Sequence, residues 1–137
     1  MRKNIIILIA LIAVLGLAIG IYQYNKPHKN MQRATADLTI TAPELMAAFN
    51  SDENAANAKY LDKVVAVSGK VLAVNTNEGV TVVSLDAADD LGAISCELDR
   101  FSKQNRTNFS PGEQLTIKGI CSGKTIDVVL VQCVLVE

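Results

Sequence analysis

The hydrophobic positions of this chain change periodicity twice, and each regime predicts a different kind of element. From Ile5 to Ile21, seventeen consecutive residues carry no charge. As a helix this run would span about 25 Å and be apolar on every side, so it is predicted to enter a membrane rather than pack in a small domain. Tyr22 and Tyr24 follow it where interfacial aromatics belong. From Thr41 the apolar positions take helical spacing. In TAPELMAAFN, Thr41 is a candidate N-cap, Pro43 and Glu44 suit a first turn, and Leu45, Met46 and Phe49 share a face. Ser51-Asp52 then starts a second short helical segment, ENAANAKYL, and the bent pair is predicted to cover an open end of a sheet.

From Val64 the pattern becomes two-residue alternation and predicts five strands. Val65, Val67 and Val71 face one way in the first, and Gly69 is placed to bend it. In the second, Thr81, Val83 and Leu85 alternate with Val80, Val82 and Ser84; in the third, Ile94, Cys96 and Leu98 alternate with Ser95 and Glu97. QLTIKGIC is the fourth, and DVVLVQCVLV, apolar on both faces, should be central or covered on both sides. Turns are predicted at Asn75–Gly79 and Ser122–Thr125, an acidic loop at DAADDLG, and a polar excursion holding Phe101 and Phe109 between the third and fourth strands. Five strands with that excursion predict a mostly β chain: a five-stranded OB-fold Greek-key barrel with a short N-terminal helical segment, preceded by one transmembrane helix. The divisions are 1–25, a hydrophobic anchor or signal segment; 26–38, a polar linker; and 39–137, the OB-fold domain.

Charge sharpens this division. Arg2, Lys3, Lys26, Lys29 and Arg33 precede Ala34 with no acid among them, whereas beyond it eight Lys or Arg face fourteen Asp or Glu, a formal −6. Such a body repels nucleic-acid phosphates. Arg2 and Lys3 also make a signal-like positive region, and Ala18-Ile19-Gly20 is a small-x-small triplet, so retention and cleavage of the segment both stay open. No cysteine lies near the run to be lipidated. The basic flanks nearly balance, and the order of charge followed by apolar run favours an extracytoplasmic domain.

Five residue groups invite chemistry. His28 stands alone in the linker, and Asp86, Asp89 and Asp90 lack the spacing of a calcium loop, so no metal or cofactor is expected. Glu97 and Asp99 have no nucleophile or oxyanion donor near them in sequence, and no enzyme is expected. The outer face of the second and third strands, where OB barrels stack bases, offers Val80, Val82, Ser84, Ser95 and Glu97, with neither aromatic nor cation; nucleic acid is therefore expected not to be a partner. The polar turns Asn75, Thr76, Asn77 and Glu78, and Ser122, Lys124 and Thr125, are the candidate ligand loops for a protein, peptide or glycan.

The order Lys59-Tyr60-Leu61-Asp62-Lys63, Val67-Ser68-Gly69-Lys70-Val71, Cys96, Pro111-Gly112-Glu113, Ile117 to Gly123 and Asp127 to Cys133 resembles the tRNA-anticodon-like OB family of small exported bacterial proteins, over about Leu38 to Val136. The resemblance implies a barrel of an exported bacterial protein and does not itself imply tRNA binding; with the apolar run Ile5 to Ile21, the expectation is a single-pass membrane protein of the bacterial cell envelope. Family members often look like lipoproteins, and the absence of a lipidation cysteine is a departure. Cys96, Cys121 and Cys133 all fall on inward faces. A disulfide is possible among them, with Cys96 to Cys133 easiest because those strands neighbour each other in an OB barrel, and reduced buried thiols are the alternative.

Overall fold

The computed structural model describes residues 2–25, 30–102, 106 and 108–136. Helix α1 (Arg2–Tyr24) is followed by β1 (Leu38–Thr41), α2 (Ala42–Ser51), α3 (Glu53–Tyr60), β2 (Val64–Asn77), β3 (Val80–Leu85), β4 (Ile94–Leu98), β5 (Gln114–Lys124) and β6 (Val128–Leu135). The helix α1 is long and apolar enough to cross a membrane, and none of its apolar window is buried.

The strands pair in the order β1-β2-β3-β4-β6-β5, and β5 returns to β2, which closes five of them into a barrel. β4 and β6 run parallel while the other barrel pairs are antiparallel. This is the OB topology that the strand pattern predicts. β2 makes the closure possible by serving two partners in sequence. Its first half pairs Val64 to Lys70 with β5, and its second half pairs Val71 to Asn77 with β3, the register slipping between Val71 and Ala73.

The core holds the inward set that alternation selects. Val65, Val67, Val83, Leu85, Ile94, Cys96, Ile117, Leu130 and Cys133 are fully buried together. One end is covered by α2 and α3, through Leu45, Met46, Phe49, Ala56 and Tyr60. Thr41 and Glu44 form a reciprocal capping box on α2, and Asp52 ends α2 and caps α3, so the bend between the helices is fixed by one residue. Gly69 seats this cap: a Cβ there would lie 2.9 Å from Cβ of Ala42, so only glycine lets the start of α2 approach β2 this closely.

Two features depart from the sequence reading. Residues 30–37, read as part of the polar linker, lie on the barrel. Met31 is 1% exposed and packs with Val64 and Val134, Asp37 exchanges hydrogen bonds with the backbone of Val64 at 2.8 and 2.9 Å, and Lys118 Nζ donates to the carbonyl of Ala34 at 2.6 Å. The chain then continues into β1, a parallel strand beside β2. This strap explains why β6 is apolar on both faces: Cys133 belongs to the core, and Val134 to the strap cluster. Second, β5 runs through Ser122 to Lys124, and the turn falls at 125–127 rather than at Ser122–Thr125. Gly123 (φ 98) absorbs a bulge there, which places Cys121 opposite Leu130.

Candidate functional site

The outer face of β3 and β4 is built as the alternation requires. Ala73, Ser84, Ser95 and Val129 stand in register across β2, β3, β4 and β6, and Asn75, Val82 and Glu97 form the next row. Ser95 is already engaged: its hydroxyl donates to Asp127 Oδ2 at 2.7 Å, while Asp127 Oδ1 accepts from the N–H of Ala93 at 2.9 Å. Asp127 therefore holds the β5–β6 turn against β4. Sequence reading quoted it only as part of a motif.

Where the second row reaches β6, the face opens into a recess of about 380 Å³ lined by Glu97, Asp99, Arg100, Phe101, Val131 and Gln132. Two distortions make it. Asp99 Oδ1 accepts from the N–H of Phe101 at 3.0 Å, and the N–H of Asp99 donates to the carbonyl of Cys133 at 2.9 Å, so the chain leaves β4 in a fixed turn. Opposite, Gln132 takes a left-handed conformation (φ 52) at the point where the β4–β6 and β5–β6 registers slip. A non-glycine residue there is strained, and its amide oxygen is buried with no hydrogen-bond partner among the described residues. Phe101 is 75% exposed beside this recess, and Arg100 is exposed next to it. Sequence reading missed this pairing, because Phe101 lies beyond the last residue of β4 and no strand period points to it.

The predicted loop residues separate. Asn75, Thr76 and Asn77 belong to β2, and Glu78 and Gly79, both with positive φ, make a two-residue hairpin turn. Asn75 and Asn77 lie on the outer face opposite Val82 and Val80, whereas Thr76 points the other way and its hydroxyl meets that of Thr81 at 3.1 Å. Ser122, Lys124 and Thr125 lie at the far end of the face. Lys124 is level with Val128, Ile94 and Leu85, so β3 separates the two groups along its whole length.

The acidic loop is engaged internally. Asp86 accepts from the N–H of Ala88, and Asp89 from the N–H of Leu91 and from Asn50 Nδ2. These bonds, first that from Leu91, together with the charge of Lys124, hold Asp89 below the usual carboxylate range. Among the described residues no three His, Cys, Asp or Glu side chains are grouped to hold a metal; His28 lies outside the described residues. The three cysteines are buried. Burial first, and then the neighbouring Cys96, pushes the Cys133 thiol well above its ordinary range. Burial also raises Cys121.

The tRNA_anti-like family model matches residues 1–135. The chain belongs to the tRNA_anti-like family. Among solved structures, a protein of Klebsiella pneumoniae subsp. pneumoniae described as a "putative nucleic acid-binding lipoprotein" is similar at 19% identity and a TM-score of 0.57, over 72% of this chain and 91% of that one. The yeast Stn1 and Ten1 structure is similar at 15% identity and a TM-score of 0.46, over 77% of this chain and 65% of that one. No curated protein matches the chain. Membership of this family, with a similar structure so described, overturns the expectation that nucleic acid is not a partner. The physical reason for the misreading is local. The strand residues alone carry no aromatic or cation, but the turn after β4 sets Phe101 and Arg100 at the edge of the same face.

Proposed function

We propose that this protein is a non-enzymatic binding module held at the outer side of a bacterial membrane by Ile5 to Ile21, and that its barrel binds a single-stranded nucleic acid across the outer face of β3 and β4. The observation that carries the ligand reading is the exposed Phe101 beside the recess, next to Arg100. An aromatic face stacks on any base, and a neighbouring guanidinium meets the backbone. An extended ligand crossing the face would pass Asn75 and Asn77 at one end of β3 and the β5–β6 turn at the other. The description of the Klebsiella protein supports this ligand class.

The −6 charge shapes the mode of binding. Few phosphates would be neutralised, so affinity should depend weakly on salt. With Arg100 as the principal contact, the slope of log K against log salt is expected near about −0.7, far from that of a basic groove. Titration of a labelled oligonucleotide with the full chain in lipid nanodiscs, read by fluorescence anisotropy, tests this. Phe101→Ala is expected to weaken binding by roughly tenfold, the effect of losing one stacked base at about 1–3 kcal/mol. No binding at low salt, or equal binding by the variant, would refute the ligand reading.

A further inference from the structure

The recess beside Phe101 carries a carboxylate that the protein does not use. Glu97 is the residue before the end of β4, exposed on the outer face and part of the recess wall. Across the strand pair it meets Val82, whose side chain has no polar atom to offer, and among the described residues its carboxylate takes part in no hydrogen bond or ion pair. The other carboxylate of the wall is committed: Asp99 Oδ1 accepts from the N–H of Phe101 and fixes the turn. Toward phosphates alone Glu97 is a repelling charge, placed on the same wall as the aromatic and the cation of this face. It attracts only a ligand edge that offers N–H donors.

The bases differ in that respect. Guanine presents N1–H and N2–H2 side by side on its pairing edge, and one carboxylate accepts from both in a charge-assisted pair. Adenine and cytosine each set an amino group beside a bare ring nitrogen, and thymine or uracil sets one N–H between two carbonyls, so a carboxylate meets a repelling lone pair in each. Gln132 lines the recess from β6, and the N–H2 of its amide complements O6, the remaining group of the guanine edge. At about 380 Å³ the recess is at the small end of the roughly 300–1,000 Å³ range of ligand sites, a size for one nucleoside. We propose that this recess takes a single base and selects guanine, and that Glu97 is the specificity-determining residue, accepting from N1–H and N2–H2 while Phe101 stacks on the ring. The inference rests on the nucleic-acid reading and narrows its ligand: Phe101 supplies affinity for any base, and Glu97 supplies the choice among them.

The test titrates the full chain in lipid nanodiscs with labelled all-dT oligonucleotides in which one central base is dT, dA, dC, dG or deoxyinosine. The dG oligonucleotide is expected to bind roughly tenfold tighter than the dT, dA and dC ones, the discrimination of one bidentate contact. Deoxyinosine lacks only the N2 amine of guanine, so it should lose most of that preference. Glu97→Gln should bind dG and dT alike, and bind the all-dT strand more tightly than the parent does, because a charge that repels phosphate has gone. A merely structural role for Glu97 would instead weaken every oligonucleotide together. Phe101→Ala should weaken all five while keeping their order. Equal affinities for the five oligonucleotides, or a dG preference that survives in deoxyinosine or in Glu97→Gln, overturn the assignment and leave the nucleic-acid reading standing. Absence of binding by every oligonucleotide at low salt overturns both.

Discussion

A chain lacking residues 2–24 should leave the membrane fraction completely, whereas the intact chain should resist extraction by an alkaline wash. The twelve Ile, Leu and Val residues between Ile5 and Ile21 each favour insertion by about 0.3–0.6 kcal/mol, so together they supply on the order of 5 kcal/mol, against no opposing charge. No other described element competes for the role. The barrel's own apolar set is consumed by its core and by the strap, and α1 is the one described helix whose apolar surface lies open. The mass of the membrane-bound protein decides between its two fates. Retention of the full mass establishes an anchor; a soluble product beginning near Gly20 would show that the segment is a cleaved signal. Residues 30–37 make the distinction consequential. With the strap docked from Met31 onward, only residues 25–30 lie between α1 and the docked strap, so a retained anchor would hold the domain close to the lipid surface.

The second large effect is expected at Gly119. A Cβ at this position would collide with Sγ of Cys133, and would sit 3.0 Å from the carbonyl oxygen of Val131 and 3.4 Å from Cα of Cys133. The sulfur has little freedom and the other two atoms are backbone, so the strand itself would have to move. Gly119→Val adds three heavy atoms there. It is expected to destabilise the domain by at least the roughly 3 kcal/mol at the upper end of ordinary overpacking, which lowers Tm by about 12 °C or more in a domain of this size. Thermal unfolding followed by circular dichroism measures it. An unchanged Tm would mean that β5 and β6 are less closely packed than described.

The contrast between these residues and Phe101 explains what was legible in the sequence. The inward faces of β2, β3 and β4 follow directly from alternation, because a barrel with one buried face imposes period two on every strand. The helical pair was equally visible, since the capping box of Thr41 and Glu44 and the cap at Asp52 are local chemistry. Within the stretch Ile117 to Gly123, Gly119 gives room to Cys133, and Gly123 takes the positive φ of a bulge. Neither role can be seen without the partner strand. The strap escaped for the same reason. Met31, Ala34 and Ala36 are too few and too widely spaced to show a period, and they become apolar contacts only when β2 and β6 are placed beneath them.

The binding face was read half correctly. Val80, Val82, Ser84, Ser95 and Glu97 do point outward, but the face was judged by its strands alone. Its aromatic and its cation come from the turn that Asp99 fixes after β4, and the recess depends on the left-handed Gln132 of β6, 31 residues beyond Phe101 in sequence. A non-glycine left-handed residue with a buried, unpartnered amide oxygen is a costly feature at the edge of a barrel. Such a feature persists where the surrounding structure over-determines it, and here it opens the wall against which Phe101 stands.

Hydrogen exchange of the full chain in lipid nanodiscs, measured by mass spectrometry with and without a saturating single-stranded oligonucleotide, tests the central claim most directly. Slower exchange is expected at 97–101 and 129–132, extending to the tip of the β2–β3 hairpin, with no change in the strap at 30–37. Protection confined to the strap or the outer side of β5, or none anywhere, would contradict the assignment of this face as the binding surface.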